Sequence, residues 1–238
     1  MAARAIVAKG LSAEKTYAEI RSVYGRLPNF NTRTSESVRD QAYSTPLPIA
    51  YVASRLAGIT QKTTVYEPTG GNGALVIEAN PDNTTINDLN PQRVENLRAQ
   101  GFEANVVDAM KFYPAGEFDV VIANPPFGVV KNADGSRKQW RLTGDYDVSE
   151  IDHAIAFQSL EAMADDGRAV LIVGGVNRMA TTRQARSDAY NQSAKRKFYP
   201  NLYDTYNVVD HFTIDGAMYA KQGAAWPVDV IVIDGKGR

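Results

Sequence analysis

From Thr63 onward, short β-branched or apolar runs alternate with longer amphipathic segments. Thr63 to Glu67 reads as a strand that stops at Pro68-Thr69-Gly70-Gly71-Asn72-Gly73. Ala74 to Ala79 follows as a short helix, Thr84 to Asn87 as a strand, and Pro91 to Ala99 as a helix opened by a proline in its first turn. Glu103 to Val107 is a further strand, and Phe118 to Ala123 carries the unbroken apolar run of a strand buried on both faces. Ser149 to Ala164 reads as a helix with Ser149 and Asp152 in capping-box spacing, and Ala169 to Val173 as another buried strand. Two last strands, Asn207 to Ile214 and Val228 to Ile233, are joined by a glycine-containing loop. Alternation of this kind predicts an α/β fold with a doubly wound, mostly parallel sheet, whose ligands sit outside the carboxyl ends of the strands.

Ahead of this region, Leu11 to Tyr24 has the spacing of an amphipathic helix with Leu11, Ile20, Val23 and Tyr24 on one side. Leu27 to Arg39 is polar and rich in Pro, Asn, Thr and Ser, as a linker is. Thr45 is placed to cap a helix from Pro46 to about Leu56, ended near Gly58. The expected division is therefore an N-terminal helical extension and linker, residues 1–38, and one domain, residues 39–238.

With 238 residues, 44% of them hydrophobic, the chain can build one sizeable core. No apolar run reaches the length of a membrane helix, and no apolar block follows the charges of Met1 to Gly10 as a secretory signal requires. The absence of cysteine excludes disulfides and cysteine-based zinc sites and fits an intracellular protein. The two histidines, His153 and His211, are far apart in the chain, so no histidine-based metal site is expected. A net charge of −1 argues mildly against a dedicated nucleic-acid binder. Locally, however, Arg178, Arg183, Arg186, Lys195, Arg196 and Lys197 face a single acid, Asp188, either as a solvated helix face or as an anion-binding patch.

Two segments carry candidate chemistry. Glu67 to Gly73 lies directly between a strand and a helix, where glycines let the backbone turn tightly and approach a ligand; a plain turn uses the same residues. Asp88 ends the next strand, about twenty residues on, where an acid can bind ribose hydroxyls. The three-glycine spacing of a dinucleotide pyrophosphate site is absent, which points to an adenosine ligand without a diphosphate. Asp108 ends the third strand and serves equally as a turn cap or a ligand contact. The sharper signal is Asn124-Pro125-Pro126-Phe127 after an apolar strand. Consecutive prolines stiffen the backbone. The Asn124 amide oxygen and the Pro125 carbonyl then form two acceptors able to grip an amino group, and Phe127 offers a face to a planar ring.

From about Gln41 to Ile233 these residues resemble the amino-group DNA methyltransferases of the N6-adenine type. Asn124, Pro125, Pro126 and Phe127 are similar to that family's catalytic motif, and Glu67 to Gly73 to its cofactor loop. Tyr43-Ser44-Thr45-Pro46 resembles the segment that touches the methionine end of the cofactor, in the subgroup where that piece comes first. Ser44 to Ile59 and Tyr219 to Gly235 also look like the methylase part of phage anti-restriction proteins of the DarB, strawberry-notch-like kind. The resemblance implies a class I S-adenosylmethionine-dependent methyltransferase fold with an antiparallel last strand. It also implies S-adenosylmethionine held by Tyr43, Ser44, Thr45, Glu67, Thr69, Gly71, Gly73, Asp88, Asp108, Ala109 and Asn124, without a metal. The implied reaction is methylation of N6 of adenine flipped out of DNA, in the cytoplasm of a bacterial host. Two departures stand out: no separate target-recognition domain is expected after the core, and the family aromatic that packs on the flipped base has only Phe198 and Tyr199 as candidates. Related motifs also serve RNA guanine-N2 and adenine-N6 methyltransferases, protein glutamine methyltransferases and non-catalytic cofactor-binding subunits; the Ser-Thr-Pro segment favours DNA.

DNA is expected to lie against two segments that follow strands at the active-site edge. Val129 to Glu150, with Lys131, Arg137, Lys138, Trp140 and Arg141, reads as a mobile loop that orders on DNA. Asn177 to Lys197 supplies Arg178, Arg183, Arg186, Lys195 and Arg196. Such contacts to phosphates carry no sequence information, so low selectivity is expected.

Overall fold

The parallel strands, their crossovers and a terminal antiparallel pair form one seven-stranded sheet. The computed structural model describes residues 2–27, 44–142, 146–176, 182–222 and 226–237. The strands are β1 (Val65–Glu67), β2 (Thr84–Asp88), β3 (Glu103–Val106), β4 (Phe118–Ala123), β5 (Trp140–Leu142), β6 (Tyr146–Val148), β7 (Met163–Gly174), β8 (Tyr206–Ile214) and β9 (Val228–Lys236). The helices are α1 (Ala2–Val7), α2 (Ala13–Arg26), α3 (Leu47–Leu56), α4 (Pro91–Arg98), α5 (Ile151–Leu160), α6 (Arg183–Tyr190) and α7 (Ser193–Thr205). β1 pairs in parallel with β2 and β4, β2 with β3, and β4 with β7, whereas β9 runs antiparallel between β7 and β8. The doubly wound sheet and its antiparallel final strand are as expected.

Two apolar clusters cover the two faces. One joins α3 and α4 to the sheet through Ile49, Ala53, Val94, Leu97, Ile122, Ile172 and Val230. The other joins α5 and α7 through Phe157, Leu160, Phe198, Leu202, Val121, Leu171 and Ile231. Ala3, Ile6 and Ile20 of α1 and α2 bury themselves against Tyr51 and Ile77, and Arg4 donates to the carbonyls of Val76 and Ala79 at 3.0 and 2.9 Å. Full burial of Ile20 stabilises this contact by about 1.5–3 kcal/mol. Leu11, expected on the same stripe, lies ahead of the helix and is exposed, because Ser12 caps α2 by accepting the Lys15 N–H.

Other expectations change. Ala74 to Ala79 is a succession of buried turns and not a helix, closed by an Ala79 N–H bond to the Val76 carbonyl at 3.1 Å. So short a segment gains little from helix propagation, and burial on every side decides its shape. The helix expected from Ser149 to Ala164 is confined to α5, because β7 begins at Met163, paired with Phe118. Glu150 is its cap residue, with no side-chain bond to the helix's first N–H groups, and Asp152 points elsewhere. α3 begins after Pro46 with no side-chain cap, so Thr45 is not the expected capping residue. Within the stretch expected as a loop, Val129 to Glu150, the described residues include paired backbone. Val129 bridges Glu150, Lys131 bridges Arg137, and β5 pairs with β6. Nearly all of the expected linker, and Tyr43, lie outside the described residues.

Candidate active site at the carboxyl edge of the sheet

β1 ends at Glu67, β2 at Asp88, β4 at Ala123 just before the Asn-Pro-Pro-Phe motif, and β7 at Gly174. Parallel pairing therefore delivers both sequence signals to one edge. Gly70 opens the glycine loop by donating its N–H to the Asn87 carbonyl at 2.8 Å, and a Cβ there would fall 2.2 Å from Ile86 Cγ2. Gly71 and Gly73 hold φ of +53° and +72°, conformations that favour glycine. The Gly71 N–H donates to Asp88 Oδ2 and the Asn90 N–H to Asp88 Oδ1, both at 2.8 Å, with the Arg93 guanidinium 4.0 Å from Oδ2. Asp88 thus fastens the loop as well as facing the edge.

Glu67, at the root of the loop, is 2% exposed. Burial, reinforced by the charge of Asp88, holds its carboxyl well above the usual carboxylate range. Glu67 Oε2 and the Thr69 hydroxyl are buried without a hydrogen-bond partner among the described residues. Unpartnered buried polar atoms around a glycine cradle fit a polar ligand that completes them. Asp108 Oδ1 accepts the Met110 N–H at 3.0 Å and caps a short 3-10 turn that begins at Ala109, whose carbonyl accepts from Gln158 Nε2 at 2.7 Å. Sequence reasoning missed Asn87. It is fully buried, and its Nδ2 donates to the Pro68 carbonyl at 2.6 Å and reaches the Val107 carbonyl at 3.4 Å, joining the ends of β1 and β3. An asparagine inside a strand is the signal that could have found it.

In the Asn-Pro-Pro-Phe segment, Asn124 Nδ2 donates to Thr45 Oγ1 at 2.8 Å. Its Oδ1 is buried and has no hydrogen-bond partner among the described residues. Next to Thr45 in sequence, Ser44 Oγ accepts from Asn72 Nδ2 at 3.0 Å. Ser44 and Thr45 therefore tie the glycine loop and the Asn-Pro-Pro-Phe motif to one segment. Pro125 is buried; Pro126 and Phe127 are half-buried. Gly174 adjoins the aromatic, and a Cβ there would make ordinary contact with Phe127 Cβ at 3.9 Å. Asp152, 1% exposed, accepts the Gly128 N–H at 3.3 Å and the Gly174 N–H at 2.9 Å, so it staples the motif's exit to the end of β7.

Glu150, Asp152 and His153 bring ligand-type atoms within 4.8 Å of one another. Both Asp152 oxygens already accept backbone N–H groups, and Lys195 acts on this cluster as a nearby cation while its Nζ donates to the Gly174 carbonyl. His153 is stacked on Phe198 at 4.0 Å, and burial depresses its pKa to about 4.

The residues expected to face DNA divide. Lys131, Arg137, Arg141, Arg183, Arg186 and Arg196 are exposed, with Arg141 3.6 Å from Asp147. Trp140 is 8% exposed and belongs to the core, with Lys138 Nζ 5.2 Å from its ring centroid. Lys195 is turned inward to Gly174, and Arg178 lies outside the described residues. Phe198 and Tyr199 are 0% and 6% exposed, and the Tyr199 hydroxyl donates to the buried Asp229 at 2.6 Å. Neither can stack on an incoming base; their place in α7 turns both toward the sheet. Trp226, missed in sequence, is half exposed at this edge and donates its Nε1–H to the Gly175 carbonyl at 3.1 Å.

No family model matches the chain, and no curated protein matches it. Solved structures do. A protein from Pyrococcus horikoshii named as an RNA methyltransferase aligns with 93% of this chain and 98% of its own, at 17% identity and a TM-score of 0.57. The modification subunit of a type I restriction enzyme from Vibrio vulnificus aligns with 95% of this chain at 13% identity and a TM-score of 0.61; this chain spans 51% of it. A protein from Listeria monocytogenes named as a class I S-adenosylmethionine-dependent methyltransferase aligns with 95% of this chain and 71% of its own, at 11% identity and a TM-score of 0.55. The fold is accordingly that of the class I methyltransferases. No helix among the described residues is long and apolar enough to cross a membrane.

Proposed function

We propose that this chain transfers a methyl group from S-adenosylmethionine to an exocyclic amino group of a nucleobase, N6 of adenine in DNA. The observation that carries the reading is the buried, unpartnered Oδ1 of Asn124, set at a strand end with Nδ2 already committed to Thr45. The amino nitrogen of adenine delocalises its lone pair into the ring and is a poor nucleophile. Asn124 Oδ1 and the Pro125 carbonyl accept its two N–H groups, draw the hydrogens from the ring plane and localise the lone pair. Asparagine acts here as an acceptor and not as a base. Phe127 stacks on the extruded ring and offsets the stacking lost from the duplex. Trp226 is the candidate for a second aromatic contact, in place of Phe198 and Tyr199.

Glu67, Thr69, Gly71, Gly73, Asp88 and Asp108, with Ser44, Thr45 and Ala109, are the residues that would hold the cofactor. The glycine cradle and the unpartnered Glu67 and Thr69 oxygens fit it. Bound there, it supplies a methyl group already activated by a sulfonium. The chain's own contribution is therefore position and electrostatics. DNA would run past the exposed cations of α6, α7 and the Lys131–Arg137 ribbon.

The test is methyl transfer from labelled cofactor to DNA, RNA and protein, followed by nucleoside and amino-acid analysis. N6-methyladenine in DNA is the expected product; label only in RNA or protein overturns the assignment. Asn124→Ala should lower turnover by about 10² or more, by analogy with loss of an oxyanion-hole donor, and leave cofactor binding nearly intact.

A further inference from the structure

α6 carries the exposed Arg183 and Arg186 but buries none of its own residues, so apolar burial does little to fix where those cations lie. Its last residue, the half-buried Tyr190, reaches the sheet instead. The Tyr190 hydroxyl donates to Asp229 Oδ2 at 2.9 Å, and its ring meets Tyr199 edge-on at 5.1 Å and His211 at 5.7 Å. Asp229, on β9, is fully buried. Its Oδ2 also accepts from the Tyr199 hydroxyl of α7 at 2.6 Å, its Oδ1 accepts from Thr213 Oγ1 of β8 at 2.8 Å, and His211 Nε2 lies 3.7 Å from Oδ2. Burial alone would raise this carboxyl, but His211, Tyr199, Thr213 and Tyr190 hold it below the usual carboxylate range. Pairing of β7 with β9 sets Asp229 opposite Val173, one residue before Gly174. A Cβ on Gly175 would fall 3.2 Å from Asp229 Oδ1, so the carboxylate lies against the end of β7 that borders Phe127.

We infer that Asp229 is the anchor that docks α6 beside the active-site edge, and that Tyr190, bonded to it, is a positioning residue for duplex binding through Arg183 and Arg186. This rests on the reading of α6 as a face for DNA phosphates. Arg186 and Arg183 precede Tyr190 by four and seven residues, and residues so spaced share one helix face. A bond that fixes Tyr190 therefore fixes the rotation of the whole stripe. Apolar contact is non-directional, whereas a hydrogen bond to a held oxygen prefers a narrow range of angles. The carboxylate is itself held, since Tyr199 of α7 and Thr213 of β8 bond it from other sides. A buried carboxylate also needs its donors, because leaving it short of them costs more than leaving a neutral group unpaired. Asp229 thus couples the place of the α6 cations to the strand end next to the Asn-Pro-Pro-Phe segment, and takes no part in the chemistry at Asn124.

Tyr190→Phe removes one oxygen and keeps the ring, so it is the variant of choice. Without DNA, hydrogen exchange of the α6 amides should quicken about tenfold or more, the range of one hydrogen bond to a charged acceptor. Exchange in β7 and β9, and S-adenosylmethionine affinity by calorimetry, should stay as in wild type. In fluorescence anisotropy with a labelled duplex, Tyr190→Phe should weaken binding about threefold or more and lower the slope of log K against log salt by up to about 2, the share of Arg183 and Arg186. In an Arg183→Gln/Arg186→Gln background, Tyr190→Phe should change duplex affinity little, because the helix it aims no longer carries those charges. Unchanged α6 exchange in Tyr190→Phe overturns the anchor. Equal proportional losses of duplex affinity for Tyr190→Phe with and without the two arginines also overturn it, as does a matching loss of cofactor affinity. Wild-type duplex affinity in Arg183→Gln/Arg186→Gln instead removes α6 from the DNA face, whatever Tyr190→Phe does to exchange.

Discussion

Removing the carboxylate of Asp152 should both loosen the fold and disable the motif. Its two oxygens accept the N–H groups of Gly128 and Gly174 at 3.3 and 2.9 Å, and the residue is 1% exposed. Hydrogen bonds to a charged acceptor contribute about 1.5–3 kcal/mol each, and an alanine leaves two N–H donors without their acceptor. Taking a buried charge away recovers part of its desolvation cost. The net loss for Asp152→Ala is therefore about 2–4 kcal/mol. Asp152→Asn retains one acceptor but turns an NH2 group toward the other backbone N–H, so its loss is roughly 1–3 kcal/mol. Urea unfolding reads this as a lower midpoint at constant slope. Gly128 follows Phe127 directly, so both variants should also lose methyl transfer while binding cofactor normally. An ordinary cap at the start of α5 would instead cost about 1 kcal/mol and leave turnover alone. A loss below about 0.5 kcal/mol for Asp152→Ala would refute the staple, since only surface substitutions are that mild.

Two other outcomes follow from the electrostatics. The folded chain holds the Glu67 proton more tightly than the unfolded chain does. That contribution to stability is full below the ordinary carboxyl pKa of 4.5 and is lost as pH rises through the raised folded value, so Glu67→Gln should flatten this limb in thermal melts across pH; a mutant curve parallel to wild type would count against it. On α6 and α7, replacing the exposed Arg183, Arg196 and Lys197 together should lower the slope of log K against log salt for duplex binding by up to about 3. Replacing the inward-turned Lys195 should leave that slope nearly unchanged, and an equal drop would place Lys195 on the phosphates.

The strand ends were legible because burial on both faces writes itself as apolar runs, such as Phe118 to Ala123 and Ala169 to Val173. Once those runs are parallel, the residues after them must share an edge, which is how Glu67, Asp88 and Asn124 could be grouped before any contact was known. Periodicity says nothing, however, about which polar side chains cross from one loop to another. Thr45 lies just ahead of α3 and Asp152 in the first turn of α5, and both have side chains suited to capping. In each case a partner distant in sequence claims the oxygen: Asn124 for Thr45, Gly128 and Gly174 for Asp152. Exposed helix ends can be capped by water, whereas buried N–H groups at a strand end cannot, so the interior demand takes the side chain. The same competition divides the basic and aromatic residues of Ser193–Thr205. Phe198 and Tyr199 close the apolar face against His153 and Asp229, Lys195 reaches the Gly174 carbonyl at the sheet edge, and Arg196 and Lys197 face solvent. A charge count over that segment could not separate them, because the helical phase that sorts them is set by the aromatic pair and not by the cations. Phosphate-facing character is accordingly a property of the exposed positions left over once the core and the strand ends have taken what they need.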